Sequence, residues 1–233
     1  MTLAAALDAV IAAHDWPPGI SLDLAEPKDA EAFAALNAAV TRAAWTPGLM
    51  MHQDVPFFDA VHAAGGAVIL LRDTATPFGY TVAVPAGPDM SAFSATDTPV
   101  GLLFGTVVLE GYRGAGWQSQ LIALRLSAFQ AIGLPICQAI VAPANHQSLG
   151  NLLANGFEVV GAEDRRAGAS RFVVERCPKH EATPAEIRET LSLPPYADLG
   201  QHKALLALGL RGVAVPGPEG LRIGYRPGLG CTA

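Results

Sequence analysis

The chain has 233 residues, of which 51% are hydrophobic and 15% charged, with a formal net charge of −6. Such a chain can bury a sizeable core in one substantial domain with an extension, or in two small ones. No Lys/Arg cluster occurs and no uninterrupted apolar run reaches eighteen residues, so neither a nucleic-acid partner nor a membrane partner is expected.

Cys137, Cys177 and Cys231 are odd in number and far apart, which suggests neither a disulfide framework nor a zinc cluster; a reducing, cytoplasmic setting is the expectation. The acidic balance suits a cationic or amine-bearing substrate. In chain order, Met1 to Trp16 reads as an amphipathic helix with Leu3, Leu7, Val10 and Ile11 on one face. Asp8 and Asp15 and the lack of a basic start argue against a signal peptide. Ile20 to Leu24 alternates as a first strand. Pro27-Lys28-Asp29 opens a helix to about Ala43, which Trp45-Thr46-Pro47-Gly48 ends. A second helix spans about Pro56 to Ala64, and strands follow at Ala67 to Leu71 and Phe78 to Val84 around a turn at Asp73 to Pro77.

Pro85 to Pro99 is loop-like. An apolar strand, Leu102 to Leu109, then leads through a glycine loop into a helix from Ser119 to Ile132. Ile136 to Val141 is a strand and about Gln147 to Ala154 a short helix, with Asn155-Gly156 at its end. Strands at Phe157 to Val160 and Arg171 to Glu175 bracket a polar turn at Glu163 to Gly168. From Cys177 the pattern changes: a helix starts at Thr183-Pro184, another covers Asp198 to Leu208, and Gly212 to Val215 with Leu221 to Tyr225 read as a hairpin. Leu205, Leu206, Leu208 and Leu210 suggest a buried face.

The stretch Tyr112-Arg113-Gly114-Ala115-Gly116-Trp117-Gln118 carries the most chemistry. A small-residue loop between a strand and a helix directs unpaired backbone N–H groups, and the positive end of the helix dipole, at one point. That is a seat for a phosphate or pyrophosphate. Downstream, Asn145 is followed by Ser148 three residues later, and by Gly156-Phe157 eleven and twelve residues later.

These two motifs, in this order of elements, resemble the GCN5-related N-acetyltransferase (GNAT) superfamily. The resemblance covers roughly Ile20 to Glu175. It implies an α/β (α+β) fold whose mixed central sheet splays between strands 4 and 5, with flanking helices. On that reading, residues 1–19 form an N-terminal helix, 20–176 the acetyltransferase domain and 177–233 a C-terminal extension. The extension can lengthen the sheet, cover the acceptor cleft or form a homodimer contact.

The resemblance further implies acetyl-CoA as cosubstrate, no metal, and direct transfer of acetyl to a small-molecule or protein amine in a ternary complex. Thr106, Val107, Val108, Leu109, Arg113, Gly114, Ala115, Gly116, Trp117, Gln118, Ser119, Asn145, Ser148 and Leu152 are the implied cofactor-binding positions. Tyr112, Arg113 and Gly116 match the family's loop, whereas Gln118 stands where a small residue is usual. Replacing Gln118 with Gly is therefore expected to tighten CoA binding. Asn145 is implied to bond the pantetheine arm, and a backbone N–H near Leu109 to stabilise the oxyanion. Many members place a Tyr where this chain has Leu152, and some a Glu where it has Ile140.

Acetylation also needs a base for the protonated amine. Glu110, at the strand end, is the first candidate and His146 the second; the blander readings are a solvated strand terminus and a surface helix residue. His52, Asp54, Asp59 and His62 fit a polar helix face better than a metal site. Trp45, Phe57 and Phe58 read as core ahead of cleft. The competing functions are a catalytically inactive CoA-binding or protein-interaction module, and an enzyme using a larger acyl donor.

Overall fold

The computed structural model describes residues 1–43, 52–87, 98–165, 169–178, 191–193, 198–217 and 220–228. Trp45, the helix expected at Thr183-Pro184, Cys231 and most of the loop from Pro85 to Pro99 lie outside these residues. Among the described residues ten strands form one sheet in the order β1-β2-β3-β4-β5-β7-β6-β9-β10-β8. The strands are β1 (Ile20–Leu24), β2 (Ala67–Asp73), β3 (Thr76–Ala86), β4 (Val100–Val108), β5 (Cys137–Val141), β6 (Glu158–Arg165), β7 (Ala169–Arg176), β8 (Leu191–Leu193), β9 (Leu210–Gly217) and β10 (Gly220–Pro227). The helices are α1 (Leu3–Ala12), α2 (Ala30–Ala43), α3 (Val55–Ala63), α4 (Trp117–Ala131), α5 (His146–Ala154) and α6 (Leu199–Ala207). None of them is long and apolar enough to cross a membrane.

Alternation along the strands sends side chains to two separate cores. Phe33 of α2 and Phe58 of α3 pack with Tyr80, Val82 and Leu102 on one face. Leu3 and Leu7 of α1, Leu121 and Phe129 of α4, and Leu149 and Leu153 of α5 cover the other, against Ile69, Leu103 and Ala139. The helix starts follow local chemistry: Thr2 caps α1 through Ala5 N–H, and Asp54 caps α3 through Phe57 N–H at 3.1 Å. Asp54 thus has a structural role.

Three expectations need correction. Glu163 to Arg165, read as turn, continue β6, because Ala162 to Arg165 stay registered opposite Phe172 to Ala169. The leucine face of α6 is not a buried stripe: Leu208 is 75% exposed, whereas His202 is fully buried with Nδ1 2.5 Å from Tyr225 Oη. Leu205, Leu206 and Leu210 are only half-buried. Third, Cys177 is disulfide-bonded, against the expectation of free thiols; sequence spacing carries no information on which cysteines meet in space. Cys137 is free and buried, and burial pushes its thiol up to about 12.

The hairpin expected in the tail is β9–β10, registered from Leu210 opposite Pro227 to Gly217 opposite Gly220. It extends the sheet beyond β6, with β8 on its outer edge.

Candidate active site

The site begins where the sheet opens. β4 and β5 run parallel but are registered only at Gly101–Cys137, Leu102–Gln138 and Leu103–Ala139. Beyond Leu103 the strands part. The β3–β4 register explains why: Thr81 pairs with Thr106 and Val82 with Phe104, so Gly105 is an extra residue that bends β4 away. β5 meanwhile stays registered with β7 along its whole length, from Cys137–Arg176 to Val141–Phe172.

A cavity of about 120 Å³ occupies this wedge. Phe104, Gly105 and Thr106 form one wall, Ile140 and Val141 the other. Gln118, Asn145, Ser148 and Leu152 line it from the starts of α4 and α5, and Gln53 and Phe57 from the opposite side. Its charged lining residues are Arg125 and Arg171; no described carboxylate reaches it.

Arg125 is 2% exposed, yet its guanidinium is well supplied with acceptors. Nε donates to Leu121 O at 3.0 Å, Nη1 to Val82 O and Phe104 O at 3.0 and 3.1 Å, and Nη2 to Thr106 Oγ1 at 3.2 Å. Thr106 Oγ1 lies 2.9 Å from Thr81 Oγ1. These partners flank the extra residue, so the arginine stitches the bulge to α4. Burial pulls its pKa down to about 9, which leaves it cationic at neutral pH.

The glycine loop sits above the wedge. Gly114 and Gly116 have φ of +84° and +76°, a conformation costly for other residues. Gly116 is the N-cap of α4 and offers no capping side chain. The first intrahelical bond runs from Gln120 N–H to Gly116 O, which leaves the N–H groups of Trp117, Gln118 and Ser119 at the open helix end. Tyr112 anchors the loop by stacking on Phe78 at 4.2 Å and donating to Asp73 at 3.0 Å.

Several expected site residues take other positions. Trp117 is buried and packs on Trp16 and Phe78, so it faces the core rather than the loop's open side. Val107 is buried against the α2–α3 core, and Val108 and Leu109 are half-buried at the strand end. The oxyanion donor was expected to be a backbone N–H near Leu109; Leu109's own N–H donates to Phe78 O at 2.9 Å. The exposed Arg113 turns back, its Nε donating to Val108 O at 3.0 Å. Glu110 and His146 are both exposed, and neither lines the cavity. Their distance in sequence from the strand end and from Asn145 does not carry their side chains into the wedge.

Asn145 caps α5, its side chain accepting from Ser148 N–H at 3.2 Å. Gln118 Nε2 donates to Ser148 Oγ at 2.7 Å, and Asn151 Nδ2 donates to Gln118 Oε1 at 2.8 Å. The residue that departs from the family pattern therefore bridges the starts of α4 and α5. Phe57 lines the cavity as well as the core, whereas Phe58 is wholly core.

Gln53 and Arg125 went unnoticed in the sequence. For Arg125 a signal existed: it shares a helical face with Leu121, Ala128 and Phe129. For Gln53 none did, since it lies between helices with no motif around it.

A bulged fourth strand parting from a parallel fifth, with the starts of α4 and α5 beside the opening, is an arrangement that comparison with solved structures finds again. A putative acetyltransferase from Salmonella typhimurium, solved with its cofactor acetyl-CoA, is similar with a TM-score of 0.52 at 16% identity, covering 71% of this chain and 98% of its own. Ard1 from Thermoplasma volcanium gives a TM-score of 0.53 at 13% identity, over 68% and 97%. A ribosomal-protein-alanine N-acetyltransferase from Brucella melitensis gives 0.51 at 19%, over 67% and 98%. No family model matches the chain, and no curated protein sequence does. The chain has the GCN5-related N-acetyltransferase fold.

Proposed function

We propose that this protein is an acetyl-CoA-dependent N-acetyltransferase acting on an amine by direct transfer. The observation that carries this reading is the wedge between β4 and β5, which opens beneath the free N–H groups of α4 and holds a cavity lined by Thr106, Asn145 and Ser148. The Gly114–Gly116 loop with Ser119 seats the pyrophosphate, through backbone N–H groups and the helix dipole. The pantetheine arm passes Gln118, Asn145 and Ser148, and the thioester ends beside the β4 bulge.

In the reaction the amine nitrogen attacks the thioester carbon and the C–O π pair moves onto oxygen. The tetrahedral species then collapses with loss of the C–S bond, and the proton released by the amine ends on the CoA thiol. Holding both partners in register supplies much of the rate, without a nucleophilic side chain. Among the described residues no carboxylate or imidazole lines the cavity, which favours loss of the amine's first proton to water.

A second reading rests on that same arrangement. Leu152 and Ile140 line the cavity where some relatives carry an acid or a base, which favours a module that binds CoA without turnover. Release of CoA thiol from acetyl-CoA in the presence of a panel of amines separates the two.

Titration calorimetry with acetyl-CoA tests the seat. Wild type binds in the micromolar range, and Gly116→Trp loses binding. An added Cβ at Gly116 meets only Gln120 Nε2 at 3.8 Å, so the variant folds, at a cost of about 1–2 kcal/mol for the positive φ. Unchanged affinity removes the loop from the reading. Gln118→Ala has the opposite sign. An incoming arm must break the two side-chain bonds of Gln118, each worth about 1 kcal/mol, so their removal tightens acetyl-CoA up to about thirtyfold. A weaker variant counts against passage between α4 and α5.

A further inference from the structure

Gln53 lies in the link before α3 and is 5% exposed. Its Oε1 is held by two donors: Tyr80 Oη at 2.5 Å, and Asn37 Nδ2 at 3.4 Å. Its own N–H donates to Asn37 Oδ1 at 3.0 Å, so the backbone is tied to the same residue. Burial raises the Tyr80 phenol well above its ordinary value, which keeps it a donor at every physiological pH. Two donors on one oxygen settle the orientation of the amide: oxygen toward Tyr80 and Asn37, nitrogen away.

The amide group as a whole meets the bulge. A Cβ on Gly105 would fall 2.5 Å from both Nε2 and Oε1 of Gln53, so the amide lies flat over the glycine's α-carbon, at the wall of the wedge. Among the described residues Nε2 makes no hydrogen bond, although Gln53 is buried and lines the cavity. On the other face of the same bulge stands the Arg125 guanidinium, bonded to Phe104 O and Thr106 Oγ1.

A fixed, unpaired pair of N–H donors, with a buried cation behind it, is suited to an oxygen that becomes negative. Resting on the acetyltransferase reading, we infer that the Gln53 side-chain amide donates to the acyl carbonyl oxygen of the bound thioester and stabilises its negative charge during transfer. Leu109's own N–H is held by Phe78 O; that bond does not exclude other amides near it. Tyr80 and Asn37 are positioning residues, acting through Gln53. Gly105 has no side chain because one would fill the space where amide and ligand approach.

The test compares acetyl-CoA with S-ethyl-CoA, which differs only in lacking the carbonyl oxygen. Calorimetry on wild type is expected to give about fivefold tighter binding of acetyl-CoA. In Gln53→Leu that ratio falls to about one while the affinity for S-ethyl-CoA is kept. Should Gln53→Leu fail to fold, Gln53→Glu at pH 8 keeps the acceptor for Tyr80 and replaces only the donor; the ratio then falls to one or below. As a direct readout, the infrared carbonyl band of [1-13C]acetyl-CoA shifts to lower frequency on wild type and returns to its solution position on either variant.

A ratio or band unchanged by both variants overturns the role of Gln53 and leaves the fold's CoA seat intact. A wild type that binds neither ligand overturns the acetyltransferase reading, and this inference with it.

Discussion

Replacing Arg125 with Met is expected to lower stability by on the order of 4 kcal/mol, and the melting temperature by about 10 °C. The thioether keeps much of the apolar stem but cannot donate. Leu121 O, Val82 O, Phe104 O and Thr106 Oγ1 each lose a donor, and three of these flank the β4 bulge. A buried acceptor without its donor costs about 1–3 kcal/mol. Leu121 O keeps its α4 backbone bond and Thr106 Oγ1 keeps Thr81, so Val82 O and Phe104 O carry most of the loss, which outweighs any gain from removing a buried charge. The loss should extend to function: with the stitch cut, β4 is free to straighten and the wedge narrows. Differential scanning calorimetry measures the first effect and acetyl-CoA titration the second. A variant as stable as wild type would mean that water satisfies these carbonyls and that the bulge stands without its arginine.

Glu158→Ala is expected to cost about 3–5 kcal/mol, the usual penalty for breaking a buried ion pair from one side. Glu158 pairs with Arg226 of β10, and its second oxygen lies 3.7 Å from Arg211 Nη1 on β9. Arg211 also holds Glu175 of β7 at 3.1 Å, and Glu175 accepts from Gln138 of β5 at 2.7 Å. This chain of charges crosses from β5 to β10 just where the backbone link is thinnest. β6 and β9 share one registered pair, Val159 with Gly212. Gly212 must be small there, since a Cβ would meet Ile223 at 2.5 Å and Val159 at 2.9 Å. Removing Glu158 strips the carboxylate from two guanidiniums at once and loosens β8, β9 and β10 from the rest of the sheet. Hydrogen exchange should report faster exchange in Leu210–Pro227 before the remainder of the chain. The double substitution Glu158→Leu with Arg226→Leu should recover most of the loss, because it leaves Arg226 no longer buried as a charge. Equal destabilisation by single and double substitutions would assign the cost to packing rather than charge.

Much of this architecture was readable along the chain because its signals are local. The stripe of Leu3 and Leu7 sets α1, Pro27 and Asp29 set the turn that opens α2, and the apolar runs before and after the glycine loop set β4 and α4. Helix and strand periods reflect which face a residue presents, and neighbours in sequence suffice to show that. The paired motifs at Arg113–Gln118 and Asn145–Phe157 likewise placed two helix starts on one side of an opening sheet.

The catalytic expectations were weaker because they depended on direction in space. Glu110 and His146 are adjacent to the motifs but exposed, outside the lining of the cavity. Trp117, one residue past the N-cap Gly116, turns inward onto Trp16, a partner one hundred and one positions away in sequence. Such pairings follow from how helices settle on a sheet, and no spacing rule encodes them.

By itself, then, the sequence determined the elements, their order, and the glycine-cornered start of α4. These arise from backbone sterics, glycine's access to positive φ and the periodic burial of apolar side chains, all interactions within a few residues. The tertiary structure alone decided that Gly105 bulges, that Arg125 bonds the strands around the bulge, and that Gln53 lays its amide over it. Each depends on groups from separate elements meeting in a dry interior, where a hydrogen bond's partner is chosen by proximity in space.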